Sequence, residues 1–184
     1  MDLWARLPTP TSVSNGGQAI LDKKNAPYAD MTWMFFASGR KTSKFKILNL
    51  KFKNEIPEKI QKTWKVLVEA RDGAINFIER ELKKGRMPRG LDVDRVAHDV
   101  IGKAGFGKAI KHTVGHSLGF NHPHGKLPGI NWKEYSPLLK NVGYTIEPGI
   151  YLENFGMRTE IDFYISKENK IVVTTQAQKN IDII

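Results

Sequence analysis

Between Pro57 and Gly85 the sequence carries one apolar stripe at helical spacing: Ile60, Trp64, Leu67, Val68, Ile75, Ile78 and Leu82. Pro57 suits a first turn and Gly85 a stop. A helix this long and this one-sided must press its apolar face onto another layer, which the rest of the chain has to supply. A second helix is expected from Asp92 or Val93 to Ala104, with Val93, Val96, Ala97, Val100 and Ile101 inward and Gly105 at its end. Strand-like runs occupy Gly143–Leu152, Met157–Ile165 and Lys170–Thr175, and Ser166-Lys167-Glu168-Asn169 reads as a hairpin turn between the last two. The Tyr28–Ala37 run suits a buried strand with Tyr28, Asp30, Thr32 and Met34 on one face. Lys44–Lys53 alternates lysines with apolar residues, as an exposed and guarded strand does. Together these elements predict an α+β fold. We read residues 1–184 as a single domain, with 8–26 a loop rich in Pro, Ser, Asn and Gly.

Composition narrows the chemistry. Hydrophobic residues are 40% and charged residues 26%, the range of a packed domain. With no cysteine, disulfides, thiolate metal sites and a cysteine nucleophile are all excluded. No run reaches the length of a membrane span, and Met1-Asp2-Leu3-Trp4 has no basic stretch leading into an apolar one. A soluble, cytoplasmic protein with no membrane partner is expected. Lys and Arg number 29 against 19 acids, a net charge of +10. Nucleic acid would match that balance. Many of the basic residues, however, lie between Arg40 and Lys84, away from the histidine-rich part, where solvated helix faces and an edge strand account for them. Nucleic acid is not the expected partner.

Four of the five histidines fall within 13 residues: His112, His116, His122 and His124. Such a group suits a metal or acid–base site better than a core. Thr113, Val114, Gly115 and Gly119 around them favour strand and turn over helix. Two carboxylates follow in strand-like settings, Glu147 and Glu160. Alternation in the second run turns Arg158, Glu160, Asp162 and Tyr164 to one side, and Met157, Thr159, Ile161, Phe163 and Ile165 to the other. On a solvent-facing strand these acids would be ordinary; turned inward, they must be paired or hold a cation. Carboxylates with an imidazole suit Mn, Co, Zn or Fe, and two such ions sharing carboxylates could generate hydroxide and polarise a carbonyl. The residues by themselves thus point to a carboxylate–histidine metal site with hydrolytic potential.

Three segments in order, His112-Thr-Val-Gly-His116-Ser-Leu-Gly119, Thr145-Ile-Glu147-Pro-Gly-Ile-Tyr151 and Gly156-Met-Arg-Thr-Glu160-Ile-Asp162, resemble the motifs of the pita-bread metallopeptidases. That family includes methionine aminopeptidase, aminopeptidase P, prolidase and creatinase. The resemblance covers roughly residues 27–184, and Glu-Pro-Gly-Ile-Tyr points to the Xaa-Pro peptidase branch. It implies a curved, mostly antiparallel sheet covered by helices. The N-terminal part would be incomplete, because a full domain of the family has a helical segment and a strand before its first metal-binding Asp.

The resemblance further implies two divalent ions (Mn, Co, Zn or Fe) held by Asp2, Asp30, His116, Glu147 and Glu160. Asp30 and Glu160 would bridge the ions, and Glu147 would also handle the proton of the attacking water. Asp2 is assigned because Asp2-Leu3-Trp4-Ala5 resembles a subset in which Asp-Leu-Trp-Ala opens the strand and a longer loop follows; Asp22 is the alternative. His112 matches a non-ligand histidine near the substrate. The second catalytic histidine of the family lies seven residues after the ligand histidine, where this chain has Pro123. One inserted residue makes it His124, and one deleted residue makes it His122; we assign His124. Arg158 would pair with a neighbouring acid and orient it.

The activity implied is that of a metal-dependent exopeptidase acting on peptides or dipeptides with proline in second position, an aminopeptidase P or prolidase type. A missing N-terminal segment would leave strand edges and helix faces uncovered, so either the chain is a truncated fragment or an oligomeric partner covers the gap, and a homo-oligomer is expected. The alternative is a module of the same fold that has lost catalysis and binds protein or nucleic acid. The missing N-terminal segment, the shifted histidine and the charge favour the alternative; the retained Asp30, His116, Glu147 and Glu160 count against it.

Overall fold

Helix α1 (Glu58–Lys83) begins directly after Pro57, whose carbonyl accepts the amides of Ile60 and Gln61. A residue without an N–H loses nothing at that place. At the other end Gly85 takes φ 72°, and the Arg86 amide turns back to the Glu81 carbonyl at 2.9 Å. Trp64, Leu67, Ala70, Ala74, Ile78 and Leu82 form its buried face. Helix α2 (Gly90–Lys103) starts two residues ahead of the expected boundary. The cause is tertiary: the amides of Gly90 and Leu91 donate to the Ser136 and Glu134 carbonyls, so the segment around 134–136 caps the first turn in place of a side chain. Val93, Ala97 and Ile101 of α2 are fully buried, and α2 packs on α1. The described residues of this computed structural model are 4–5, 29–36 and 56–183. The expected 8–26 loop, the Lys44–Lys53 strand, Tyr28, and the candidate ligands Asp2 and Asp22 lie outside them.

The strands assemble in three pieces. Strand β1 (Trp4–Ala5) pairs antiparallel with β2 (Trp33–Phe36), which pairs parallel with β8 (Asp182–Ile183). Strands β3 (Gly143–Ile146), β6 (Ile161–Ile165) and β7 (Ile171–Val173) form an antiparallel sheet in the order β3-β6-β7. Strands β4 (Gly149–Tyr151) and β5 (Gly156–Arg158) form an antiparallel pair. A short 3-10 turn, Gly107–Ala109, follows α2. The α+β expectation therefore holds, and the turn at 166–169 is present, with Asn169 at φ 59°.

Two strands expected to be continuous are each cut. Gly143–Leu152 breaks at Glu147-Pro148, and Met157–Ile165 breaks at Thr159-Glu160. The breaks face one another, because Ile146 pairs with Ile161 and Gly149 with Arg158. Pro148 has no amide to continue a ladder, and its carbonyl instead accepts the Thr159 amide at 3.3 Å. The interruption brings Glu147 and Glu160 to the same level of the sheet. Both faces of β6 are covered: Ile161, Phe163 and Ile165 join the core with Tyr144 and Ile146, while Asp162, and Glu160 just ahead of the strand, are buried as well. No helix among the described residues is long and apolar enough to cross a membrane.

Candidate metal centre

The segment leading into β2 alternates as expected: Asp30, Thr32 and Met34 are buried, and Met31, Trp33 and Phe35 are partly exposed. Met34 faces the core, and Asp30 and Thr32 face the acids of the second sheet. The Asp30 amide donates to Asp162 Oδ2 at 2.9 Å, and the Thr32 hydroxyl donates to Glu160 Oε2 at 2.5 Å. Glu160 is 1% exposed, so the solvent-facing strand is excluded for it.

The histidine segment runs between two neighbours. Gly115 exchanges both backbone hydrogen bonds with Ile130, and the amides of Thr145 and Glu147 donate to the His116 and Val114 carbonyls. Gly115 is required there, since any Cβ would meet the Thr145 carbonyl. His116 Nδ1–H donates to the Ser117 carbonyl at 2.9 Å, which leaves Nε2 as the ring nitrogen that takes up a proton or a cation. That nitrogen faces Glu147 Oε1 at 3.2 Å and Asp30 Oδ2 at 3.7 Å. A lone pair aimed at two carboxylate oxygens is repulsive unless a proton or a cation lies between them. Burial pulls the His116 pKa down, but the Glu147 hydrogen bond, the Ser117 carbonyl and the charges of Glu147 and Asp30 outweigh it and raise it overall.

Arg158 lies between the two glutamates, with Nη1 at 3.2 Å from Glu147 Oε2 and Nη2 at 3.4 Å from Glu160 Oε2, and it also donates to the Thr32 hydroxyl. Burial works to raise the Glu147 pKa, yet the His116 hydrogen bond and the Arg158 charge hold it below the ordinary value, so Glu147 is ionised. Glu160 goes the other way, pushed up to about 8 by burial and by the Glu147 charge. Asp162 is likewise pushed up to about 8 by burial.

The donor set fits a divalent cation. Glu160 Oε1 and Asp162 Oδ1 are buried with no hydrogen-bond partner among the described residues, an arrangement that costs free energy until a cation or proton arrives. One ligand atom each of Asp30, His116 and His124 lie within 4.8 Å of one another. Hard carboxylate oxygens with a tautomer-locked imidazole are the donors of Mn, Co, Zn or Fe.

The two other candidate histidines stand at the rim. His112 Nδ1–H donates to the Thr113 carbonyl at 2.7 Å, and its Nε2 shares a hydrogen bond with the Tyr151 hydroxyl at 2.9 Å. His124 stacks on His116 with ring centroids 3.9 Å apart and planes 12° from parallel. Leu118 pairs with His124, and the Gly119 amide closes onto the Pro123 carbonyl, so the 119–123 turn carries His124 back beside His116. Burial and the neighbouring His116 lower the His124 pKa. His122 is exposed, 5.4 Å from the His124 ring and not against His116.

Asp30, His116, Glu147, Glu160, Arg158, His112 and His124 are thus brought together; Asp2 and Asp22 lie outside the described residues. The sequence reading assigned no individual site role to Thr32, Thr145, Tyr151 or Asp162, although it placed Asp162 on the face of Glu160. Thr145 Oγ1 accepts the His116 amide and donates to Glu147 Oε1. The signals were present: Thr32 shares the alternating face of Asp30, Asp162 that of Glu160, and Tyr151 closes the Glu-Pro-Gly-Ile-Tyr motif.

Comparison with known proteins accords with this geometry. The model of metallopeptidase family M24 matches residues 23–174, and the chain belongs to that family. An uncharacterized peptidase of Staphylococcus haemolyticus is 32% identical over 120 residues, 64% of this chain and 31% of that protein. Among solved structures, a dipeptidase of Pyrococcus horikoshii is 27% identical with a TM-score of 0.68. An X-Pro aminopeptidase of Thermotoga maritima is 27% identical, also with a TM-score of 0.68. Each match covers 86% of this chain and 38% of the other. The fold is the pita-bread fold of these peptidases, and the chain spans about a third of the length of such relatives.

Proposed function

We propose that this chain carries the catalytic centre of a dinuclear metalloexopeptidase acting on peptides or dipeptides with proline in second position. The observation that carries the reading is the locked His116 Nε2 facing Asp30 and Glu147, beside the buried oxygen of Glu160 that has no hydrogen-bond partner among the described residues. Asp30, His116, Glu147 and Glu160 would hold two divalent ions, with Asp2, or Asp22 in its place, as the remaining ligand. Bound ions would supply Lewis-acid polarisation of the scissile carbonyl and a lowered pKa for the attacking water.

The chain's own residues do the rest. Glu147, kept ionised by His116 and Arg158, accepts the proton of the attacking water and returns it to the leaving amine. Arg158 stays bound to Glu147 and Glu160 and holds their carboxylates in a fixed orientation. His112, whose Nε2 exchanges a hydrogen bond with Tyr151, and His124 above His116 are placed to steady the developing oxyanion. The likeness to a dipeptidase and to an X-Pro aminopeptidase, each over 86% of this chain, supports the substrate class.

The decisive experiment is elemental analysis of the purified protein, followed by assay of Xaa-Pro dipeptides and longer Xaa-Pro peptides with added Mn²⁺. Bound or bindable metal together with hydrolysis supports the reading. Metal without hydrolysis of either substrate sinks the peptidase assignment and favours a binding module of the same fold. Absence of both sinks the metal centre.

A further inference from the structure

We propose that Arg71 and Gln178 form a buried clamp that sets the spacing between the Asp30 segment and the Glu160 segment. What the clamp serves rests on the metal-centre reading; the clamp itself does not. Arg71 is 1% exposed, on the α1 stripe between Leu67 and Ala74, where an apolar side chain would pack without the cost of burying a charge. Its ion-pair partner among the described residues, Asp72, is 54% exposed and so does little to offset that cost.

What the guanidinium does inside the fold is directional. Its Nη1 donates to the Thr159 hydroxyl at 2.9 Å and to the Gln178 carbonyl at 2.8 Å. Thr159 immediately precedes Glu160. Gln178, 3% exposed, pairs through its side-chain amide with Met34 as a neighbouring strand would: the Met34 amide donates to Oε1 at 2.8 Å, and Nε2 donates to the Met34 carbonyl at 2.7 Å. Met34 continues the segment of Asp30 and Thr32. Thr32 in turn donates to Glu160, which closes the loop from Arg71 through Thr159, Glu160, Thr32, Met34 and Gln178 back to Arg71. One guanidinium nitrogen, Nη1, therefore ties the Thr159–Glu160 segment to Gln178, and Gln178 in turn holds the Asp30 segment through Met34. A Met side chain would fill the same space without specifying the distance.

Arg71 and Gln178 are positioning residues, and the test needs a readout that does not depend on metal. Hydrogen exchange is measured on the full, metal-free chain for wild type, Arg71→Met, Arg71→Lys and Gln178→Met, and Mn²⁺ affinity is measured by calorimetric titration. Arg71→Met and Gln178→Met are each expected to speed exchange at residues 29–36 about tenfold while α2 and β6 keep wild-type protection. The same variants are expected to weaken Mn²⁺ binding about tenfold, with Arg71→Lys recovering part of both effects. Unchanged exchange at 29–36, or a uniform rise across the chain, overturns the clamp. If Arg71→Met does not fold, Gln178→Met decides, since it leaves the guanidinium and its Thr159 bond in place. A wild type that binds no Mn²⁺ refutes the metal centre, while the exchange data still judge the clamp.

Discussion

Replacing Glu147 by Gln keeps the side-chain volume and removes the charge that His116 and Arg158 hold in place. Xaa-Pro hydrolysis is expected to fall by about 100-fold or more, the usual contribution of a positioned base, with the melting temperature little changed. A Gln variant that retains most of the rate would remove Glu147 from the proton-transfer role. His116 and His112 differ in what they face, and their variants should differ accordingly. His116→Ala removes a nitrogen that points at two carboxylates, so metal content drops. His112→Ala removes a partner of Tyr151 at the rim, so the rate drops with metal still bound. Equal metal content in the two purified variants, by elemental analysis, would erase that distinction.

At the scale of elements, the centre depends on a short stretch of backbone held from both sides. The 112–117 segment lies between Ile130 and the 143–147 segment, and Gly115 touches the Thr145 carbonyl with no room for a methyl group. Gly115→Ala must push the two segments apart, and a loss of about 3 kcal/mol of stability is expected by denaturant titration. A loss within the noise would mean that the segment yields more easily than its paired amides imply. Helix α1 packs against β4 and β5. Leu67 is fully buried, and Leu67→Ala should cost about 2–5 kcal/mol, the range for deleting a packed leucine. A cost below that range, measured in the same titration, would show that the helix is not packed as described.

For the whole molecule, the balance of buried charge makes stability depend on pH and metal together. Glu160 and Asp162 have folded values raised to about 8, and His116 is raised above its ordinary value. A group whose folded pKa exceeds its unfolded one stabilises the fold fully below the unfolded value, and that contribution is lost as pH rises through the folded value. Glu147 and His124 are lowered, so their contributions are complete above their ordinary values of 4.5 and 6.5. Among the described residues, the raised groups set the slope between pH 6.5 and 8. The chelator-treated protein should therefore melt at falling temperatures across that window, and saturating Mn²⁺ should abolish the fall by taking the place of the protons. A melting temperature that rises from pH 6.5 to 8 without metal would contradict this account.

The roles of His116, Glu147 and Glu160 rest on the resemblance of their motifs, whereas local rules were enough to read α1 and its stop at Gly85, the alternation of Asp30, Thr32 and Met34, and the turn at 166–169. Each depends on spacing along a few residues of chain, which periodicity and backbone preference report directly. They did not reveal the paired breaks at Pro148 and Glu160, the tertiary capping of α2, or the placement of His124 on His116 across the 119–123 turn. Nor could they join Asp30 to Asp162, Thr32 to Glu160, or Arg71 to Thr159 and Gln178. Those bonds link residues 88 to 132 positions apart in the chain. Their donors and acceptors meet because helix α1 and the sheets bury their apolar faces together, and the direction of a buried hydrogen bond is decided by that packing.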